Sequence, residues 1–289
     1  MSRQNRGDSM GILGGARVAL LEARMSGQLS DLVRRHGGEP RSAPAVREVP
    51  RESRAEVAGL LNSLGRGGTD IVVFLTGAGV DALFSEADAL GRATELWEKL
   101  GQITTVCRGP KPLAAMRRHG LLPSVRVQEP YTATETLDAM GRLPIQGATV
   151  GLIHYGERNG DLASALEARG ARLKELCLYE WLLPEDTAPL FDMARTIIAG
   201  DVDAAAFTSR VQARHLFQVA AEQGRAEALA HALNNTVVTA AVGPTCAAAL
   251  EEHGVKPHVT PDHPKMGHMV LALGERVSQL RSREARATA

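Results

Sequence analysis

Three observations in this 289-residue chain predict an α/β fold of two similar lobes with parallel sheets. Short β-branched or small-residue runs alternate with helical patterns, as parallel strands joined by crossover helices require. The pattern is also written twice. Phe74, Leu75 and Thr76 follow one apolar run, and Phe207, Thr208 and Ser209 follow another, an offset of 133 (207 minus 74). Gly109–Pro110 and Gly243–Pro244 are offset by 134 (243 minus 109), as are His119–Gly120 and His253–Gly254 (253 minus 119). This period is far longer than the roughly 20–50 residues of a solenoid repeat, so it marks two domains. Third, two Pro-bounded stretches, residues 44–50 and 179–184, interrupt the alternation and suit extended linkers.

In chain order, residues 16–21 read as a strand and the following spacing of Leu29, Leu32 and Val33 as a helix stopped by Gly37–Gly38. After the first linker a helix is expected over 53–64. Residues 71–75 form a buried strand, 80–90 a helix, 103–107 a strand, 112–118 a helix, 124–127 a short strand and 134–141 a helix. The second copy repeats the order. Strands are expected at 149–153, 173–178, 204–207, 236–242 and 258–260. Helices are expected at 161–169, 190–199, 209–222, 246–253 and 266–276. Residues 1–13 and 281–289 read as disordered tails.

Composition narrows the function. The chain is 44% hydrophobic and 23% charged with a formal net charge of zero, which suits a globular protein with a sizeable core. Charge balance and 3% aromatic residues argue against a nucleic-acid surface. No apolar run reaches the roughly 18–20 residues of a membrane span, and no signal-peptide core is present. Cys107, Cys177 and Cys246 show no CxxC spacing and read as reduced thiols, which places the protein in the cytoplasm. His154, His258, His263 and His268 make no metal-ligand spacing, so no metal is assigned. Gly77, Gly79 and Ala82 spell a dinucleotide-type G-x-G-x-x-A. The next strand, however, ends on Cys107–Arg108 rather than on the acidic residue that fingerprint needs.

Four loops stand out: 76–79, 108–112, 208–210 and 243–246. Each follows a strand and opens a helix, presenting backbone N–H groups suited to anions. Thr208 and Ser209 equally suit capping of the next helix, and Gly109 and Gly243 suit tight turns.

The order and spacing of these pieces resemble the uroporphyrinogen-III synthase family over about residues 16–276. Phe207, Thr208 and Ser209 after a strand look like its F-T-S element. The stretch Gly243, Pro244, Thr245, Cys246 through Leu250 looks like its G-P-T-T-A-x-A-L element. Leu178–Tyr179 matches its V-Y-x-T linker, Ala23–Arg24 its opening T-R, and Gly109–Pro110–Lys111 its G-P-K-T. The resemblance implies a bilobed, flavodoxin-like fold whose chain crosses between lobes twice. Domain 1 is then 14–43 plus 184–276, domain 2 is 50–178, and 44–49 and 179–183 are linkers. It implies a cofactor-free lyase that closes the eight-carboxylate tetrapyrrole hydroxymethylbilane, held between the lobes, with one pyrrole inverted and water lost; separately, a monomer is expected. Tyr179 matches the tyrosine suggested as proton donor. Thr76, Arg108, Lys111, Thr208, Ser209, Gly243, Thr245, Cys246 and Lys265 are the expected substrate contacts. Pro112 and Cys246 stand where the family commonly has threonine. A synthase-like subgroup, which can carry an appended DNA-binding domain, is also similar. The alternative expectation is therefore a non-catalytic tetrapyrrole or anion sensor on the same scaffold.

Overall fold

The strands Ile71–Phe74, Thr149–Ile153 and Ala204–Phe207 at the centre of the two main sheets are short and buried at each position, because helices cover both faces. The computed structural model describes residues 11–22, 26–154 and 156–287. Ala23 and Arg24, matched above to the family's opening T-R, lie outside the described residues, as does the expected tail over residues 1–10.

The elements run β1 (Arg17–Leu20), α1 (Ser26–Arg35), β2 (Glu39–Ser42), β3 (Arg47–Pro50), α2 (Arg54–Gly65), β4 (Ile71–Phe74), α3 (Gly77–Ala89), α4 (Ala93–Gln102), β5 (Thr104–Cys107), α5 (Pro110–Arg118), β6 (Val125–Arg126) and α6 (Ala133–Ala139). They continue β7 (Thr149–Ile153), α7 (Gly160–Ala168), β8 (Arg172–Leu176), β9 (Tyr179–Leu182), α8 (Ala188–Ala199), β10 (Ala204–Phe207), α9 (Arg210–Glu222), α10 (Ala226–Asn235), β11 (Val238–Ala241), α11 (Pro244–Glu251) and α12 (Met266–Ala287). The chain divides into two units, residues 1–47 with 183–289 and residues 48–182.

In the first unit the sheet runs β2-β1-β10-β11, all parallel, with Val259 bridged to Ala240 at the far edge. Counted in chain order this is 2-1-3-4-5, the flavodoxin-like order. Val18 faces Ala204 and Phe207 faces Ala241. Period-two alternation splits the core. Ala19, Ala205, Phe207 and Ala241 pack under α8–α11. Val18, Leu20, Ala204, Ala206 and Ala240 pack with Leu29, Val33, Met269 and Leu273 of α1 and α12.

The second unit holds β6-β5-β4-β7-β8, also parallel. It is the same sheet entered at a different strand: β4, β5 and β7 take the places of β10, β11 and β1. Val72, Phe74, Cys107 and Ile153 face α2–α5, while Ile71, Val73, Val106 and Leu152 face α6 and α7. The repeat reaches individual rings. Phe84 stacks on His119 at 3.9 Å, and Phe217 stacks on His253 at 4.4 Å, each pair 6° from parallel.

The structure departs from the sequence expectations in identifiable places. Both linker stretches are extended, and β3 and β9 pair there as a two-stranded sheet. The expected N-terminal tail is ordered from Gly11: Leu13 is fully buried, and its N–H donates to the His36 carbonyl at 2.9 Å. The expected C-terminal tail is helical as far as Ala287, because Arg281 donates to the Gly14 carbonyl at 2.6 Å and Val277 and Leu280 pack on the core. No helix among the described residues is long and apolar enough to cross a membrane.

Candidate functional site

In an open parallel sheet, ligands bind at the carboxyl ends of the strands where the strand order reverses. In the second unit that point lies between β4 and β7, and in the first between β10 and β1.

At the carboxyl edge of the second unit the structure brings together Tyr179 and Thr76, 103 residues apart. Their hydroxyls are 2.8 Å from one another. Thr76 is the N-cap of α3, and its Oγ1 accepts the Gly79 N–H at 3.0 Å. Tyr179 is only 3% exposed, and its ring meets Trp181 edge-on at 5.9 Å. Burial pushes its phenol well above the ordinary tyrosine range, and the Thr76 hydrogen bond and the Arg108 charge oppose that only in part. The hydroxyl therefore keeps its proton. Arg108 is half-buried at the end of β5, its N–H donating to the Phe74 carbonyl at 3.0 Å. Lys111 is exposed in the first turn of α5.

Gly77 and Gly79 are closely packed against their neighbours. A Cβ at Gly77 would lie 2.9 Å from the Lys111 carbonyl oxygen, and one at Gly79 would lie 3.1 Å from Ile153. Gly109, N-cap of α5, has φ +93° and lies under the Tyr131 ring, 3.2 Å from any added Cβ. Gly243, N-cap of α11, is covered by Pro264 in the same way, 2.8 Å from an added Cβ. Tyr131 and Pro264 are themselves 133 apart (264 minus 131), so both copies press a ring onto this glycine.

In the first unit Thr208 and Ser209 follow β10, Ser209 is the N-cap of α9, and the backbone donors of both are already used. The Gln212 Oε1 accepts the Thr208 N–H at 2.7 Å and the Ser209 N–H at 3.3 Å. The Ser209 hydroxyl accepts the Gln212 N–H at 3.4 Å, closing a capping box. Thr245 is exposed beside Gly243. Cys246 is buried, its Sγ 3.5 Å from the Phe207 carbonyl, and burial pushes its thiol up to about 12, so it is not a thiolate. Lys265 is exposed immediately before α12. A cavity of about 390 Å³ lined by Gly11, Leu13, Val277 and Arg281 lies at the amino end of β1, away from this edge.

Sequence reasoning passed over Tyr131, Gln212 and Glu22 at these edges and weighed His154 only as a metal ligand. Only Gln212 carried a local signal, the S-x-x-Q spacing from Ser209. His154, at the end of β7, is 1% exposed. Its Nδ1 accepts the Asn159 N–H at 3.1 Å, so its proton sits on Nε2, 2.7 Å from Glu175. Burial lowers its pKa despite Glu175, and burial also lowers those of His253 and His258. Groups that stay neutral in the fold protonate first in the unfolded chain, so stability is expected to fall as pH drops below about 6.5. Thermal melts from neutral to mildly acid pH should show this, and His154→Gln should flatten the slope. An unchanged slope in that variant would remove His154 from the account.

The family model described as uroporphyrinogen-III synthase HemD matches residues 27–271. The chain belongs to the uroporphyrinogen-III synthase family. A solved uroporphyrinogen III synthase from the extremely thermophilic bacterium Thermus thermophilus (a triple mutant) is 29% identical, with a TM-score of 0.71 over 92% of this chain and 99% of that one. A putative uroporphyrinogen-III synthase of Methanothermobacter thermautotrophicus is 33% identical over 254 residues, 86% of this chain and 93% of its own length. The uncharacterized protein YjjA of Bacillus subtilis is 28% identical over 261 residues, 90% of this chain and 96% of its own. The two main sheets of this synthase-family chain, parallel and covered by helices on both faces, belong to a fold similar to that of the Thermus protein.

Proposed function

We propose that this chain is a uroporphyrinogen-III synthase of tetrapyrrole biosynthesis, a lyase that cyclises hydroxymethylbilane with inversion of one pyrrole ring. The observation that carries the reading is the buried, protonated Tyr179 hydroxyl held by Thr76 at the carboxyl edge of the second unit. Tyr179 gives its proton to the leaving hydroxyl. The C–O bond breaks, its electron pair departs with water, and the terminal methylene is left as an electrophile. The substituted carbon of the last pyrrole attacks it and forms a spiro centre. The bond from that centre to the neighbouring bridge carbon then breaks, and the bridge carbon bonds to the other, unsubstituted α-carbon of the same pyrrole, which inverts the ring. The proton lost as the pyrrole regains aromaticity replaces the one Tyr179 gave. The sequence is redox-neutral and needs no electron carrier. Positioning supplies most of the rate, and one general acid adds to it.

Arg108, Lys111 and Lys265 serve as carboxylate partners, with Thr76, Thr208, Ser209, Gly243, Thr245 and Cys246 as further contacts. The protein acts as a cytoplasmic monomer. Exposed charge contacts are screened as the Debye length shrinks from about 10 Å at 0.1 M salt to about 3 Å at 1 M. Affinity for the octacarboxylate product should therefore drop over that range, and a salt-independent dissociation constant would remove the three cations from the site.

A second reading, a non-catalytic tetrapyrrole sensor, is favoured by Pro112 and Cys246, both buried and both lacking the threonine hydroxyl common in the family. A coupled assay with freshly made hydroxymethylbilane separates the two. The synthase reading expects the type III isomer. Only the spontaneous type I isomer would sink it and leave the sensor.

A further inference from the structure

The Gln212 carboxamide sits at the strand-order reversal of the first unit, between the ends of β10 and β1, and is 3% exposed. Its orientation is fixed by its neighbours. The Thr208 and Ser209 N–H groups need an acceptor, so Oε1 faces them. Nε2 then has two protons to place, and two acceptors lie in reach. They are Glu22 Oε1 at 3.1 Å, just beyond β1, and Thr208 Oγ1 at 3.1 Å. The competing contact, from Thr208 Oγ1 to Oε1, is longer at 3.4 Å.

We infer that Gln212, held by Glu22, is a positioning residue that makes the half-buried Thr208 hydroxyl an outward-facing hydrogen-bond donor for a ligand carboxylate or a departing hydroxyl. With Nε2 donating to Oγ1, the Thr208 lone pair is engaged inward and its O–H proton is left to point away from the protein. The matching positions of the second unit do not repeat this device. Gly79 occupies the position matching Gln212 (212 minus 79 is 133), and Leu75 the position matching Thr208. There the oriented hydroxyl pair is Thr76 with Tyr179. The sheet is duplicated, but each copy prepares its hydroxyl by a different route. This inference rests on the proposed tetrapyrrole ligand.

The test is a charge-neutral swap, Glu22→Gln with Gln212→Glu. The swapped pair keeps its mutual hydrogen bond and the capping box, which glutamate serves as well as glutamine. The new carboxylate, however, only accepts, so the Thr208 proton must turn inward. The swap should therefore melt as the wild type does. It should lose about 10-fold in affinity for uroporphyrin, used as a stable octacarboxylate probe, matching Thr208→Val, with Thr208→Ser restoring the loss. Turnover of hydroxymethylbilane, if present, should fall in kcat/KM by the same factor. A swap variant or a Thr208→Val protein that binds uroporphyrin as tightly as the wild type overturns the inference. Wild type that binds the probe with these sensitivities but forms no type III isomer sinks the synthase reading alone. Wild type that binds no uroporphyrin sinks both.

Discussion

Tyr179→Phe is expected to slow type III formation by about 10²-fold, the low end of what a lost general acid costs. The low end applies because a pyrrolic hydroxymethyl group gives up its hydroxyl readily and water can supply part of the proton. The loss should fall on kcat, since the ring remains and its contact with Trp181 is kept. Stability should change by only about 1 kcal/mol. The substitution removes one hydrogen bond to Thr76, and Thr76 still caps α3 through the Gly79 N–H. Burial holds the phenol above its ordinary range, so alkaline loss of activity from ionisation of Tyr179 is not expected anywhere near neutral pH. Thr76→Val removes the partner and the cap together and should lower both stability and turnover. Thr76→Ser should restore them. Turnover of Tyr179→Phe equal to wild type, with the type III product still formed, would strike Tyr179 from the mechanism and leave the family assignment untouched.

The fold class was legible because its central strands have no polar face to blur them. Ile71–Phe74 and Ala204–Phe207 are buried at every position and read as unbroken apolar runs. The elements missed are those whose burial is one-sided or slight. β2, Glu-Pro-Arg-Ser, is a largely exposed edge strand held through β1, and nothing local marks it. The helices α4 and α10 follow tight turns at Gly91 and Gly224, each with positive φ, and extend crossovers that read as single helices. The last turns of α12 are rich in arginine and carry no apolar stripe, yet Arg281 ties them to the Gly14 carbonyl.

The loops of the candidate site were legible in the sequence, since strand ends that open helices are marked by Gly, Pro, Thr and Ser. Which side chains meet across those loops was not. Thr76 meets Tyr179, His154 meets Glu175, and Gln212 meets Glu22 across 190 residues. Strand order, not local sequence, creates these pairs. The same order explains why both copies keep a glycine before the helix after their second sheet position. Gly109 and Gly243 answer to rings arriving from the next connection, Tyr131 and Pro264.

Alanine at either glycine is expected to destabilise its unit by about 2–4 kcal/mol, for different reasons at the two sites. At Gly109 the backbone itself forbids a side chain. Its φ of +93° with ψ −172° lies in a region kept almost wholly for glycine, and the added Cβ also meets the Tyr131 ring at 3.2 Å. At Gly243 the backbone is extended and any residue could adopt it. The obstacle is the Pro264 Cβ at 2.8 Å, part of a rigid ring that cannot swing aside. Double-mutant cycles separate the two causes. Pro264→Gly should recover much of the loss in Gly243→Ala, because it removes the atom in the way. Tyr131→Ala should recover little in Gly109→Ala, because the strain is in the peptide backbone. Gly67→Ala sets the reference: φ is +68° and nothing lies within 4 Å of the new Cβ, so only the left-handed cost of roughly 1–2 kcal/mol applies. Either loop, once displaced, also moves the groups proposed to meet substrate carboxylates, so product affinity should fall together with stability. A Gly243→Ala protein as stable as the wild type, or one not rescued by Pro264→Gly, would show that this close approach is not what keeps residue 243 a glycine.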